Sequence, residues 1–400
     1  MSGSPRKPLL VINALHHGGA EYQLIYLAAG LAESGHEVTL CCIDRVTIEV
    51  EPLERTGVEI VCLHAGTRWK RAAALWRLFR LARRADVVQC TMWDASFWGR
   101  LAAILARRPV VVADHAADRS IQIAASGAPR GRWIALHNRL LDRFTYATVA
   151  CATPQRQVLL SEGVAAEKIV HIPNGLPISE IAAEAAGGPS REELGLPADA
   201  PVAIQVGVFR KEKNQIAALE ALAGARQQVP GVHLVFVGGG AEQERVEERA
   251  RELDGGWTHF LGFREDVPEL ISLADLLIQP STADAMPMTV LEAMALGVPV
   301  VATAVGDVAW MVGEEAGICA PLGDEAALER ACVEILSDDD RRAAMGAAAV
   351  KRATEFDASL MVRHYERLFR AALDGEPPTA ALAEGEPSGA SPVATQMTGR

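Results

Sequence analysis

The feature that most constrains this chain is a rhythm of short apolar runs alternating with amphipathic stretches, which stops once and then restarts. Runs of four to eight apolar residues are too short for helices, and the stretches between them carry helical spacing, which together mark parallel β-α units. The first set of runs is 9–15, 37–43, 59–63, 86–90, 109–115 and 148–153. The segment IPNGLPISE, residues 172–180, breaks the pattern with Pro173, Gly175 and Pro177 and is the natural hinge. The second set is 202–209, 233–239, 258–263, 276–281, 299–303 and 317–321. Two doubly wound α/β domains of similar size follow, expected to face each other across a cleft at the carboxyl ends of their strands.

Length and charge narrow the classes. A chain of 400 residues exceeds one ordinary core. No apolar run approaches the ~20 residues of a membrane helix, and the start MSGSPRKPLLVINAL shows no cleavage site, so a cytoplasmic protein is expected. A net charge of −12 argues against a nucleic-acid partner. The seven cysteines, Cys41, Cys42, Cys62, Cys90, Cys151, Cys319 and Cys332, lack C-x-x-C spacing and lie mostly in apolar runs, as buried thiols would. No metal-ligand cluster stands out.

Three stretches after strands offer chemistry. Residues 281–303 read STADAMPMTVLEAMALGVPVVAT, with Asp284 and Glu292 eight positions apart. Thr289-Val290-Leu291-Glu292 has the form of a capping box, which makes Glu292 an N3 residue, and a helix start at 289–291 suits a phosphate. VGVFRKEKN places Arg210, Lys211 and Lys213 beyond Gly207, suited to a diphosphate leaving group or simply to a solvated turn. HHGGAE, residues 16–21, lets the backbone approach a ligand at Gly18 and Gly19, though such pairs are common in strand-helix turns.

The order of these pieces with EKIVHIPNG, LVFVGGGAE and FLGFREDVPELISLADLLIQPS resembles the retaining GT-B glycosyltransferases, specifically glycosyltransferase family four, up to about Leu373. The resemblance implies two Rossmann-like domains: 1–177 for the acceptor, 178–355 for a nucleotide-sugar donor, a helix at 356–373 crossing back to the first, and a disordered tail at 374–400. Asp284 and Glu292 stand at the family's paired acids, the second for ribose and the first beside the donor sugar; Asp284 replaces the usual Glu. Lys213 matches the lysine on the diphosphate. Val208 stands where an arginine is usual, with Arg210 as a substitute; Gly19 matches a glycine against the phosphates; His115 matches a histidine near the reacting sugar. Arg264 to Val267 resembles the loop that reads the base, and Thr289 and Val290 complete the donor set. The implied enzyme is a retaining hexosyltransferase, without cofactor or required metal, moving a sugar to a glycan or lipid-linked acceptor in cell-envelope polysaccharide or glycolipid synthesis. Arg119, Arg130 and Arg132 are acceptor candidates.

Residues 67–86 form a basic stretch with Trp69 and Trp76 at helical spacing, readable as a packing helix or as a peripheral contact with the inner face of a membrane. A sugar-nucleotide epimerase of the same fold and a two-lobe ligand-binding protein are the competing classes. The first would need dedicated acid-base residues in the cleft, and LEAMALGVPVVAT and GFREDVPEL resemble the transferases more closely; for the second an export signal would be expected.

Overall fold

The computed structural model describes residues 6–66, 68–114, 139–253 and 256–381. His115, Arg119, Arg130 and Arg132 lie outside them. The chain divides into two compact units, Met1–Gly175 with Ala358–Arg400, and Leu176–Asp357.

In the first unit the described strands are β1 (Pro8–Leu15), β2 (Thr39–Val46), β3 (Glu59–Cys62), β4 (Val87–Thr91), β5 (Val110–Asp114), β6 (Ala147–Ala150) and β7 (Ile169–His171). They form one parallel sheet in the order β3-β2-β1-β4-β5-β6-β7. Full burial of β4, β5 and β6 explains their continuous apolar runs, because helices cover both sheet faces. The strand β7 has no counterpart among the apolar runs of the sequence, because its three residues are too few for a periodic signal.

The helix Ala358–Asp374 belongs to this unit. Met361, Val362, Tyr365, Leu368 and Phe369 are buried in one core with Leu10, Ile12, Leu24, Leu27 and Leu31. Gly30 makes room for it, since a Cβ there would run into Val362. Expected disorder from 374 onward does not hold for the first residues of that stretch. The Glu376 carbonyl accepts from the Tyr146 hydroxyl at 2.8 Å, and Pro378–Ala381 form a 3-10 turn whose Pro378 is buried.

The helix Arg68–Arg84 inserts Ala74, Leu78 and Ala82 into a core with Leu9, Val11, Cys41 and Val88. What it presents outward is Trp76, 61% exposed, with Arg77, Arg80, Arg83 and Arg84. The apolar stripe is therefore a packing face, and the tryptophan lies on the basic side.

In the second unit, β8 (Val202–Val206), β9 (His233–Val237), β10 (Thr258–Phe260), β11 (Leu276–Gln279), β12 (Val300–Thr303) and β13 (Gly317–Ala320) form a parallel sheet in the order β10-β9-β8-β11-β12-β13. The order reverses between β8 and β11, so their carboxyl ends flank the crevice where such sheets bind ligands. All seven cysteines are free thiols, five of them buried. Among the described residues no helix is long and apolar enough to cross a membrane.

Candidate functional site

The loops after β8 and β11 carry the expected donor residues Lys213 and Asp284. After β8 the chain passes Gly207 and forms a 3-10 turn, Lys211–Lys213, followed by Asn214 in the left-handed region at φ 49°. This turn is anchored from below by Gln205, whose amide Nε2 donates to the Lys213 carbonyl at 2.9 Å. After β11, Gln279 plays a similar part. Its Nε2 reaches Ser281 Oγ at 3.1 Å and Asp284 Oδ2 at 3.2 Å. The two loops are laced together: the Thr282 amide donates to the Glu212 carbonyl at 2.8 Å, and Lys213 Nζ lies 2.6 Å from Asp284 Oδ2.

Gln205 lies outside the motifs that stand out in the sequence, and Gln279 lies inside one without being singled out there. A signal is nevertheless present, since Gln205 and Gln279 are polar residues inside otherwise apolar runs and are 2% and 1% exposed. Buried polar side chains at strand ends need partners, and the Nε2 groups of both glutamines find them in these two loops.

The helix Met288–Ala295 corrects the expected capping box. Its N-cap is Pro287, and no side chain caps it. Thr289 therefore occupies N2 and Glu292 lies beyond the first turn, where it cannot reach a cap amide; Pro287 has none to offer. Packing sets this register, because Met288, Val290, Leu291, Ala293 and Met294 are all buried. The loop before it is held by Gly306, which at φ 56° lies so close to the Asp284 and Ala285 carbonyls that a Cβ would collide with both. The Asp307 amide donates to the Ala285 carbonyl at 2.9 Å.

Thr289 and Glu292, three residues apart and both inside the helix, share one helix face. Thr289 Oγ1 and Glu292 Oε2 are both shielded from solvent and without a hydrogen-bond partner among the described residues. Thr289 and Val290 also contribute first-turn amides, which helix geometry leaves without internal partners and which favour an anion. Burial pushes the Glu292 carboxyl up to about 7, and the negative charge of Glu184 adds to the rise. Glu184 stands on the helix Ile178–Ala185, far from Glu292 in sequence, and no pattern in the chain points to it.

The other expected donor residues are spread around this centre. Arg210 is an exposed guanidinium whose nearest acid is Glu212, at 3.9 Å, and Val208 is 43% exposed. Arg264 is engaged with Asp266 through 2.8 and 2.5 Å contacts, which hold the Asp266 carboxyl below its usual range. Val267 opens the next helix with Asp266 as its N-cap. In the first unit Gly19 is the first residue of the helix Gly19–Glu33. Beside it the buried Glu21 carboxylate lies 2.6 Å from His16 Nδ1.

Two doubly wound sheets, with a cation and two acids beyond the strand-order reversal of the second, are the arrangement that the resemblance to the GT-B glycosyltransferases implies. Comparison with known proteins gives the family. The sequence model "Glycosyltransferase Family 4" matches residues 17–180 and "Glycosyl transferases group 1" matches residues 189–352. The chain belongs to the group 1 glycosyltransferases of family 4. It is 29% identical over 369 residues to the 2-deoxystreptamine N-acetyl-D-glucosaminyltransferase of Streptomyces fradiae, covering 83% of this chain and 86% of that one. It is 27% identical over 379 residues to the D-inositol 3-phosphate glycosyltransferase of Kineococcus radiotolerans, covering 85% and 87%. Among solved structures, Anabaena Alr3699/HepE in complex with UDP-glucose superposes with a TM-score of 0.77 at 22% identity, over 92% of this chain and 100% of that one.

Proposed function

We propose that the protein transfers a sugar from a nucleotide-diphosphate sugar to a hydroxylated acceptor with retention of anomeric configuration, the second unit holding the donor. The observation that carries this reading is the pair of shielded, unpartnered polar atoms on one face of the helix Met288–Ala295, Thr289 Oγ1 and Glu292 Oε2. Buried groups of this kind lose free energy unless a ligand satisfies them. A carboxylate oxygen can accept from ribose hydroxyls, and a threonine hydroxyl can donate to a phosphate.

The leaving diphosphate would be met by Lys213, Arg210 and the amides of Thr289 and Val290, all of which stabilise the charge that grows as the sugar departs. As the anomeric carbon–oxygen bond to the diphosphate breaks, the acceptor oxygen bonds to the same face, and its proton passes to the departing phosphate oxygen. That route requires neither a metal nor a protein nucleophile. In the second unit Arg264 and Val267 complete the donor contacts, and the family resemblance assigns Gly19 to the phosphates and His115 to the sugar. The first unit takes the acceptor, with Arg119, Arg130 and Arg132 as its candidate contacts.

The acceptor reading is a glycan or lipid-linked molecule of the cell envelope, with Trp76 and the arginines around it resting on an anionic membrane surface on the cytoplasmic side. Relatives that match over most of their length act, by name, on 2-deoxystreptamine or D-inositol 3-phosphate, which favours a small polyhydroxylated acceptor as the second reading.

The deciding assay is release of nucleoside diphosphate from a panel of sugar nucleotides, with lipid extract, 2-deoxystreptamine and D-inositol 3-phosphate as acceptors. Glu292→Ala should abolish release; full activity in that variant would overturn the site. Product configuration by NMR tests retention, activity in EDTA tests metal independence, and vesicle binding that persists when Arg77, Arg83 and Arg84 become Glu would exclude the membrane contact.

A further inference from the structure

One carboxylate oxygen of Asp284 is fully engaged by its neighbours. Its Oδ2 serves three donors at once: the Lys213 ammonium at 2.6 Å, the Gln279 amide at 3.2 Å and the Ser281 hydroxyl at 3.4 Å. Gln279 and Ser281 are buried at 1% and 0% exposure, so the carboxylate is pinned to the end of β11 by groups that cannot turn to water instead. The backbone on both sides is fixed as well, through Thr282 to Glu212 and through the close approach of Gly306 to the Asp284 carbonyl.

Two consequences follow from charge and reach. A lysine in contact with a carboxylate is largely neutralised, so a diphosphate arriving at Lys213 meets a fixed negative charge beside the cation it needs. A longer acid could swing away and keep some of its contacts. Asp284 has one methylene, and swinging it out would cost the buried Gln279 amide one of its two acceptors and leave it Ser281 Oγ alone.

We propose that Asp284 is the resident counter-ion of Lys213, a positioning residue that holds the ammonium in place between turnovers and competes with the diphosphate for it, which hastens departure of the nucleoside diphosphate product. The proposal rests on the donor reading above and assigns Asp284 a role toward the phosphates through Lys213, in place of a contact with the sugar. It is an exchange of ion partners, in which no covalent bond changes.

Calorimetric titration of the full chain separates these roles. UDP, GDP, ADP and dTDP are tested on the wild type, and whichever binds is carried forward with its matching glucose conjugate. Asp284→Asn keeps the shape and removes the charge; it should tighten the nucleoside diphosphate about tenfold, the scale of one partly screened charge interaction, and slow its release. Asp284→Glu retains the charge and should leave the affinity near wild type. In a Lys213→Met background Asp284→Asn should change nothing, because the cycle isolates the coupling between the two. Asp284→Ser, checked by its thermal midpoint, guards against misfolding of the Asn variant.

If Asp284→Asn leaves the nucleoside diphosphate unchanged or weakens it while the sugar conjugate binds less well, the residue contacts the sugar and the proposal is wrong. It fails equally if the tightening persists without Lys213. Should none of the four nucleotides bind the wild type, the donor reading itself fails, which is a different result from binding that ignores Asp284.

Discussion

On the proposed donor reading, Glu292 links the stability of the second unit to its ligand, and the link has a definite sign. Its carboxyl is raised from 4.5 to about 7 by burial and then by the charge of Glu184. A raised carboxyl binds its proton more tightly in the folded state than in the unfolded one. Its contribution is therefore full below about pH 4.5, and is lost as pH rises through about 7. At 1.36 kcal/mol per unit the span is worth about 3 kcal/mol, and roughly 2 once the partial exposure of the side chain is allowed for. Glu292→Gln removes the charge while keeping the shape, so at pH 8 the variant's second unit should unfold about 4–8 °C above wild type. At pH 4.5 the two should coincide. Thermal unfolding followed across pH 4.5–8 measures this directly, and a difference between the two proteins that is constant with pH would refute the argument. The same carboxylate, once it accepts hydrogen bonds from ribose, is favoured in its ionised form. Nucleotide binding near pH 6.5 should then release a fraction of a proton, readable by calorimetry in buffers of different ionisation enthalpy, and absent in Glu292→Gln.

Gly306→Ala forces a side chain into the carbonyls of Asp284 and Ala285 at a positive φ and should destabilise the second unit by about 2 kcal/mol or more, with loss of nucleotide affinity; near-normal binding would show that the loop has room to shift. Gln23 brackets Gly175, donating to its carbonyl at 2.7 Å and accepting from its amide at 2.8 Å, so Gln23→Leu should cost about 1–3 kcal/mol in denaturant unfolding. Alkylation at pH 8 should mark Cys62 first, which is half-exposed. Cys42 and Cys90, pushed by burial up to about 12, should react only on unfolding, as mass spectrometry of the digests would show.

Much of this molecule is legible as sequence because its strands are buried on both faces. Continuous apolar runs such as Val110–Asp114 and Leu276–Gln279 announce themselves, and the turn chemistry between them separates the units. The short edge strand Ile169–His171 does not, since three residues carry no period. The start of the helix Met288–Ala295 is misleading for a local reason. Thr289 and Glu292 have capping-box spacing, but Pro287 already opens the helix, and a proline at a helix start is the competing signal.

Lys213, Asp284 and Glu292 can be named as candidate donor residues from the family resemblance, because the motifs that carry it are written along the chain. What they do to one another cannot. The Lys213 and Asp284 charges meet across 71 residues, Glu184 raises Glu292 from a separate helix, and Gln205 and Gln279 hold the loops from beneath. Those relations depend on the strand order, in which β8 lies beside β11 although two strands separate them along the chain. Sequence alone determined which groups were available. Only the tertiary structure decided that one acid is paired with a lysine and the other left shielded and unpartnered, because burial and charge proximity are properties of packed space, which the linear order of residues does not contain.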